Sequence, residues 1–227
     1  LMYRLVNDPA DLDDVPGAVT RNIRKLATGQ VVYTAVCNET GGMLDDATVF
    51  RLGPDTFRFV GGDEYDGTWL RQLAARLNLD RVWIKHSTDH LHNIAVQGPK
   101  SRDLLRELIW TPPTQPEFGS LGWFRFAIGR IGGPEGLPLI ISRTGYTGEL
   151  GYELWCHPGD APALWVSTLP VPCCGNVTVF CRSLGRSVVF TRYLPVHLRS
   201  LSSCFSSNPS TSARNIVSDE FDPPAEP

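Results

Sequence analysis

The character of the sequence changes near residue 167, and this change limits how much of the chain can form a regular fold. Up to Trp165, apolar residues recur at helix or strand spacing, with Gly, Pro and Asp between the runs. Residues 167–211 contain no Asp, Glu or Lys and follow neither spacing. We therefore predict a domain over residues 1–166 and no packed element over 167–211. Residues 167–227 are interpreted as a disordered tail, or as an aberrant tail from a foreign reading frame joined to a genuine domain.

Helices are expected in three places. Apolar residues starting at Val19 fall on one helical face, which predicts a helix over residues 18–28 that ends at Gly29. The same spacing predicts helices over residues 69–77 and 104–109.

Strands are expected between and after these helices. Apolar, β-branched and aromatic runs predict them over residues 31–37, 47–52, 57–60, 82–85, 93–97, 122–131, 137–142 and 151–156. The turn sequence Gly53-Pro54-Asp55-Thr56 predicts that the second and third strands form a hairpin. Because hairpins and helices mix without a regular βαβ alternation, the predicted fold class is α+β.

Composition argues against several kinds of partner and location. The chain carries 21 basic and 24 acidic side chains and a net charge of −3, so a nucleic-acid partner is not expected. It has no long apolar run, and its first residues are acidic, so neither a membrane span nor a secretory signal is expected. Cysteine is sparse before residue 172, which favours a reducing compartment, the cytoplasm or, in a eukaryote, the mitochondrial matrix.

Two adjacent acids, Asp45 and Asp46, follow a Gly-Gly turn in the run NETGGMLDD (38–46). Neighbouring side chains of an extended chain point to opposite faces, so at most one of them can enter a given pocket. Two interpretations are open: one acid is a functional group in a pocket, or both are solvated acids beside a turn.

A second candidate acid, Glu153, follows the glycine-rich run SRTGYTGELGY (142–152). A carboxylate on a half-buried strand requires hydrogen-bond donors. Arg143 is one possible internal partner, and a heterocycle with two adjacent N–H groups is the other. The run is not a phosphate-binding loop, because no Gly-Lys-Ser/Thr follows it.

A histidine-rich segment raises the question of metal binding. It contains His86, Asp89, His90 and His92, with Cys37 elsewhere in the chain. No second Cys or His pair has ligand spacing, so no metal site is expected. A Cys–His nucleophilic pair is not expected either, because nothing marks a base oriented by a third group.

Four sequence blocks occur in the order and approximate spacing of one family. They are GQVVYT (29–34), NETGGMLDD (38–46), IAVQGP (94–99) and SRTGYTGE (142–149). Over about residues 18–166 the chain resembles the T-protein of the glycine cleavage system, an aminomethyltransferase, and its tetrahydrofolate-dependent relatives. The resemblance implies a three-lobed α+β fold around a central folate channel, of which this chain holds the central lobes.

The resemblance also implies a reaction and the residues that perform it. Glycine-cleavage members take an aminomethyl group from the lipoyl arm of the H-protein and pass its carbon to tetrahydrofolate, releasing ammonia. Tetrahydrofolate is therefore the expected cofactor, and the lipoylated H-protein is an expected partner. By position, Asp46 matches the acid that assists proton movement at the folate nitrogens, with Asp45 beside it in the binding site. Tyr33 and Tyr146 match aromatic positions of the folate site, and Glu153 matches the acid that holds the pterin edge.

The sequence departs from the family pattern in two respects. Family members usually begin several dozen residues earlier and continue beyond Trp165 into a further lobe, so we expect a chain truncated at both ends. Both an active and an inactive fragment are open interpretations. Glycine-cleavage members commonly carry Asn-Ala where this chain has Gly61-Gly62-Asp63, a variant typical of the branch with folate-dependent demethylases. A demethylase and a non-catalytic folate-binding module are therefore the alternative functions.

Overall fold

Two antiparallel sheets form the framework of the computed structural model. The structure describes residues 18–79 and 81–168, and the backbone of residues 178–183 and 186–190. These residues hold ten strands, three α-helices and four short 3-10 helices. All of them lie in one unit of the chain.

The smaller sheet has the strand order β1-β2-β3. Its strands are β1 (Val31–Cys37), β2 (Met43–Arg51) and β3 (Phe57–Gly61). The N–H groups of Leu52 and Gly53 both donate to the carbonyl oxygen of Thr56, at 2.8 and 3.1 Å, and close the turn between β2 and β3. The predicted hairpin is therefore confirmed.

The larger sheet has the order β10-β9-β4-β8-β7-β6-β5, and its neighbouring strands are antiparallel. Its strands are β4 (His92–Gln97), β5 (Ile109–Trp110), β6 (Phe126–Ile131), β7 (Leu137–Ser142), β8 (Gly151–Cys156), β9 (Thr178–Ser183) and β10 (Arg186–Phe190). The strands predicted over 93–97, 137–142 and 151–156 are confirmed, and the strand predicted over 122–131 is shorter than expected.

The α-helices cover these sheets. They are α1 (Tyr65–Arg76), α2 (Ser101–Arg106) and α3 (Ala161–Thr168). The 3-10 helices are Ile23–Lys25, Thr88–His90, Phe118–Ser120 and Pro158–Asp160. The predicted helix over 69–77 is confirmed, and the one over 104–109 is displaced toward the N-terminus because Ile109 begins β5.

The predicted helix over residues 18–28 is wrong. Only Ile23–Lys25 is helical, as a 3-10 turn that the side chain of Asn22 caps by accepting the N–H of Arg24 at 3.1 Å. Val19 instead forms an antiparallel bridge with Val36 of β1. Val19, Ile23 and Leu26 are buried as their spacing implied, whereas Ala27 is exposed; a bridge and a turn bury the three without a helix.

The predicted strand over residues 82–85 is also wrong, because these residues belong to none of the described strands. Val82 and Ile84 pack against the core, whereas Trp83 between them is 93% exposed. The alternation that suggested a strand is thus real, but the segment lacks a paired ladder. Alternation reports which side chains are buried and does not by itself create a strand partner.

Strands β9 and β10 contradict the prediction that residues 167–211 contain no packed element. Strand β9 lies antiparallel to β4, from the pair Asn93 and Arg182 to the pair Gln97 and Thr178. A sheet edge offers unpaired backbone groups that can pair with a strand whatever its apolar period. The remainder of the predicted tail lies outside the described residues, and the domain boundary near residue 166 stays a prediction.

Three apolar clusters form the core. One lies between the smaller sheet and α1, and another lies between the larger sheet and helices α2 and α3. The third joins the two sheets: Phe50 of β2 has its ring centroid 5.6 Å from that of Phe126 and 6.0 Å from that of Trp155. This contact fixes which faces of the two sheets are turned toward each other.

The side chain of Gln97 anchors the glycine-rich loop between β7 and β8. Its Nε2 donates to the carbonyl oxygens of Thr144 and Tyr152 at 3.2 and 3.1 Å. A Cβ on Gly151 would lie 1.9 Å from Oε1 of Gln97, and one on Gly145 would lie 2.1 Å from it. These two glycines are therefore required by the amide that passes beside them.

We expect Gly151→Ala to lower the free energy of unfolding by about 1–3 kcal/mol, because the new methyl group displaces the buried amide of Gln97, which makes two hydrogen bonds. Urea denaturation measures this change. Gly53→Ala is the matched control, since its Cβ would lie an ordinary 3.8 Å from the nearest atom, on Thr56. Equal losses of stability in the two variants would contradict the role given to Gln97.

Candidate functional site

Asp45 and Asp46 point to opposite faces of the smaller sheet. Counting in steps of two along β2, Asp46 shares a face with Phe50, which packs against the larger sheet. Asp45 shares the opposite face with Ala47 and Val49, which pack against α1. The two acids therefore have separate environments, and only Asp46 lies on the face turned toward the larger sheet.

Tyr33 and Asp46, both predicted site residues, are brought together. The Oη of Tyr33 donates to Oδ2 of Asp46 at 2.8 Å, across the pairing of β1 with β2. This hydrogen bond, with lesser effects from burial and the charges of both aspartates, raises the pKa of Tyr33 above its usual value. The phenol therefore stays a donor at neutral pH, and the second oxygen of Asp46 is left for another partner.

Asp45 holds the segment that follows β3. Its Oδ2 accepts the N–H groups of Gly62 and Asp63, at 2.6 and 3.1 Å. Burial by itself would raise the pKa of Asp45, but the backbone N–H groups of Gly62, Asp46 and Asp63, together with the carboxyl of Asp66, lower it below the ordinary value. Asp45 is thus an anchoring carboxylate on the α1 side, apart from the face that carries Asp46.

Asp66 of α1 was missed by the sequence analysis. It is 6% exposed, and its Oδ2 has no hydrogen-bond partner by the usual acceptor geometry for a carboxylate. A Cβ on Gly61 would lie 1.8 Å from this oxygen and 2.9 Å from Oδ2 of Asp45, so the two carboxyls meet over Gly61. Burial, then the hydrogen bond and charge of Asp45, raises the pKa of Asp66 to about 7. A protonated Asp66 that donates its O–H to Asp45 satisfies both groups.

A sequence signal for Asp66 was present. It lies three and four residues before Trp69 and Leu70, so it falls on the apolar face that predicted this helix. An acid on a buried helical face requires a compensating partner. That partner, Asp45, could be recognised only once β2 and α1 were placed together.

Glu153 of β8 is buried and held by uncharged donors. Its Oε1 accepts Nδ2 of Asn93 at 2.9 Å, and its Oε2 accepts the hydroxyl of Thr144. Arg143 instead donates to the carbonyl oxygen of Leu121 at 3.2 Å. The predicted alternative of an Arg143–Glu153 ion pair is therefore wrong, because the chain leaving β7 turns Thr144 toward Glu153.

Further polar groups surround Glu153. The hydroxyls of Ser142 and Thr144 are 2.8 Å apart, and Nε1 of Trp155 donates to the Ser142 hydroxyl at 3.1 Å. Oδ1 of Asn93 is buried and has no hydrogen-bond partner. A buried carboxylate without a cation, beside an orphaned acceptor, suits a ligand edge that carries N–H groups.

Glu153 and Asp46 lie on facing surfaces of the two sheets. Glu153 shares its face of β8 with Trp155, and Asp46 shares its face of β2 with Phe50. The contact between the rings of Phe50 and Trp155 turns these two faces toward each other. Tyr146, the remaining predicted residue, is 70% exposed in the loop that also supplies Thr144.

The histidine-rich segment does not form a metal centre in the described residues, where no group of three or more His, Cys, Asp or Glu has suitable geometry. Within the same part of the chain, no helix combines the length and apolarity needed to cross a membrane.

A cavity of about 430 Å³ is lined by residues 28–29, 115–116, 121–122 and 125–126. It includes none of the predicted site residues.

Comparison with known proteins establishes the family. Residues 13–169 match the family model described as the GCVT N-terminal domain, which covers more than half of the chain. The chain therefore belongs to the glycine cleavage T-protein (GCVT) family. The predicted family is confirmed.

Three similar proteins illustrate the range of this family. The chain is 60% identical over 146 residues to trimethylamine-oxide aldolase of Ruegeria pomeroyi, covering 64% of this chain and 18% of that protein. It is 35% identical over 164 residues to aminomethyltransferase of Halothermothrix orenii, covering 71% and 43%. It is 37% identical over 152 residues to the gamma subunit of heme-dependent oxidative N-demethylase of Ectopseudomonas mendocina, covering 67% and 37%. The chain thus spans less than half the length of each.

A solved structure supports the fold. The glycine cleavage system aminomethyltransferase T of Bartonella henselae matches with a TM-score of 0.50 and 25% identity, over 67% of this chain and 38% of that one. The predicted α+β class is confirmed, and the chain covers only part of that fold.

The protonated Asp66 predicts a pH-dependent stability. In the folded protein the pKa of Asp66 is about 7, so the proton is held up to about that pH. The unfolded chain releases it near the ordinary pKa of about 3.9. The proton therefore stabilises the folded state at acidic pH, and this contribution is lost as the pH rises through about 7. From about pH 5 to about pH 7.5, we expect wild type to lose about 2–3 kcal/mol more stability than Asp66→Asn.

Denaturant unfolding at each pH measures this difference. Asp55→Asn removes an equivalent charge from the exposed turn between β2 and β3, and its pH profile should follow the wild type. Parallel profiles for wild type and Asp66→Asn would show that Asp66 does not carry the proton.

Proposed function

We propose that this chain is the folate-binding part of an enzyme that transfers a one-carbon unit to tetrahydrofolate. The observation that carries the proposal is the 2.8 Å hydrogen bond from Tyr33 to Asp46, on the surface turned toward the face that carries Glu153. Membership of the GCVT family supports it. We further propose a boundary near residue 166: residues 1–166 form this part, and residues 167–227 are a tail whose strand β9 pairs with β4 at the edge of the larger sheet.

The polar groups around Glu153 fit the pterin edge of tetrahydrofolate. Both carboxylate oxygens already accept one hydrogen bond from a neutral donor, and each retains capacity for another. Adjacent N–H groups of a pterin would bind this carboxylate, and Oδ1 of Asn93 is an orphaned acceptor beside it. When bound, tetrahydrofolate supplies the nitrogen atoms that take up the one-carbon unit.

Asp46 is assigned the proton-handling role. Tyr33 fixes one oxygen of its carboxylate, and we assign the other oxygen to the ligand. A carboxylate held in this way can take a proton from a ligand nitrogen within hydrogen-bond reach. Tyr33 itself remains protonated, because ionising it would place a phenolate beside Asp46. Tyr146 is assigned to the folate-binding site.

The one-carbon donor has two candidates. The first is an aminomethyl group on the lipoyl arm of the H-protein, as the aminomethyltransferase relatives suggest. The second is a carbon derived from an N-methyl group, as in demethylation. Two observations favour the second: residues Gly61-Gly62-Asp63, and similarity to proteins named trimethylamine-oxide aldolase and oxidative N-demethylase. A folate-binding module without catalysis remains the alternative outside the enzyme class.

Asp46→Asn should lower turnover roughly 10²-fold or more, with less effect on folate affinity, because it removes a positioned proton-handling group. The measurement is the tetrahydrofolate-dependent rate of a complete family enzyme that contains this chain. Asp45→Asn is the matched comparison, and we expect it mainly to lower stability, since Asp45 anchors Gly62 and Asp63. Equal losses of turnover would contradict the assignment, and unchanged turnover in Asp46→Asn would favour the non-catalytic module.

Glu153→Gln should weaken tetrahydrofolate binding roughly 30- to 150-fold, or about 2–3 kcal/mol, because the new amide N–H would face a ligand N–H. Calorimetric titration of this chain measures the affinity, which we expect to be in the high micromolar range for wild type. Glu149→Gln removes an exposed acid from the loop that precedes β8 and should leave the affinity unchanged. Melting temperatures recorded beside the titrations would show whether the substitution at Glu153 only destabilises the fold.

A further inference from the structure

The carboxyl of Asp66 has no part in the reaction proposed above, yet it lies one residue layer beneath the Tyr33–Asp46 pair. It sits on the α1 side of the smaller sheet, where the absent Cβ of Gly61 leaves room for it. Gly61 ends β3 and pairs with Ala47 of β2, the residue that follows Asp46. The carboxyl is therefore buried directly behind the backbone that carries the Tyr33–Asp46 pair.

A continuous set of contacts connects Asp66 to that pair. Asp66 meets Asp45 over Gly61, and Asp45 accepts the N–H groups of Gly62 and Asp63. Asp45 precedes Asp46 in β2, so fixing its side chain fixes the peptide from which Asp46 projects. With Asp45 ionised, Asp66 can contribute to this cluster only by donating a proton, because no other donor reaches its buried Oδ2.

We propose that Asp66 is a positioning residue that donates its carboxyl proton to Asp45 and thereby holds the start of β2 in the arrangement that pairs Asp46 with Tyr33. Its relevance to catalysis rests on the proposed function of Asp46. The contact with Asp45 is local, and it can be tested without any reaction.

The charged groups that shift the pKa of Asp66 are all acidic. They are Asp45 and Asp46 from β2 and Asp63 from the segment between β3 and α1. Loss of the proton would place two like charges together over Gly61 and withdraw the hydrogen bond that holds Asp45. The arrangement of Asp45, Gly62 and Asp63 should then loosen as the pH rises through about 7, the pKa of Asp66.

The proposal is tested by NMR of the full chain between about pH 6 and pH 8. In wild type, the amide protons of Gly62 and Asp63 and the ring of Tyr33 should titrate together, with one midpoint near the pKa of Asp66, about 7. Asp66→Asn keeps an N–H donor that does not ionise, so these signals should stay constant and resemble wild type at low pH. Tyr33→Phe assigns the ring signal, and Asp55→Asn, a remote charge control, should titrate as wild type does.

The outcomes separate positioning from simple packing. A titration confined to Gly62 and Asp63, with the Tyr33 ring unchanged, would overturn the proposal and leave Asp66 a structural residue. An unchanged titration in Asp66→Asn would overturn it as well. Asp66→Leu, which removes the donor, should resemble wild type at high pH; if it does not fold, the comparison of wild type with Asp66→Asn still decides.

Activity distinguishes this proposal from the proposed function. If the Tyr33 ring titrates with Asp66 but Asp46→Asn retains full turnover, the positioning contact stands and the assigned role of Asp46 fails. If the positioning contact and the role of Asp46 both stand, turnover in a complete family enzyme should fall above about pH 7 in wild type. Asp66→Asn should not show this fall. A pH profile that is the same in both would contradict a positioning role in catalysis.

Discussion

The alternation of side chains along β2 is the constraint on which the candidate site depends. One face of this strand packs Phe50 against Trp155 of the larger sheet, and the other packs Val49 against α1. Both faces are buried farther along the strand, so a register shift of one residue would exchange them and bury the wrong groups. Asp45 and Asp46, near the start of the same strand, are consequently fixed on opposite sides, and two chemically identical neighbours acquire different partners.

Local environment, rather than residue type, then separates the acids. Asp45 accepts backbone N–H groups and has a lowered pKa, whereas Asp66 lacks such donors and has a pKa raised to about 7. Glu153 is also buried, yet each of its oxygens accepts a hydrogen bond, one from Asn93 and the other from Thr144. Placing carboxyls in environments of contrasting polarity is a common way to obtain acid and base functions from one side-chain type.

Sequence patterns predicted the local features of this protein and failed where partners were distant. The runs 31–37, 137–142 and 151–156 matched β1, β7 and β8, because strand alternation and turn signals are local. The expected helix over 18–28 failed because a bridge to Val36 competes with it. The sequence indicates that Glu153 needs hydrogen-bond donors, but it does not identify the donor. Asn93 lies sixty residues away along the chain, whereas Arg143, the predicted internal partner, is close in sequence. Strand β9 was missed because the edge of β4, rather than a period in its own sequence, determines it.

Glycines in this chain mark places where a polar side chain lies against the backbone. The amide of Gln97 occupies the space where side chains of Gly145 and Gly151 would begin, and the carboxyl of Asp66 occupies that of Gly61. At none of these three is a positive φ recorded, so conformational freedom does not account for the choice of glycine. A close approach of polar groups does, and the groups involved anchor the loop that supplies Thr144 and the segment held by Asp45. In this chain, glycines therefore indicate buried polar side chains as much as they indicate turns.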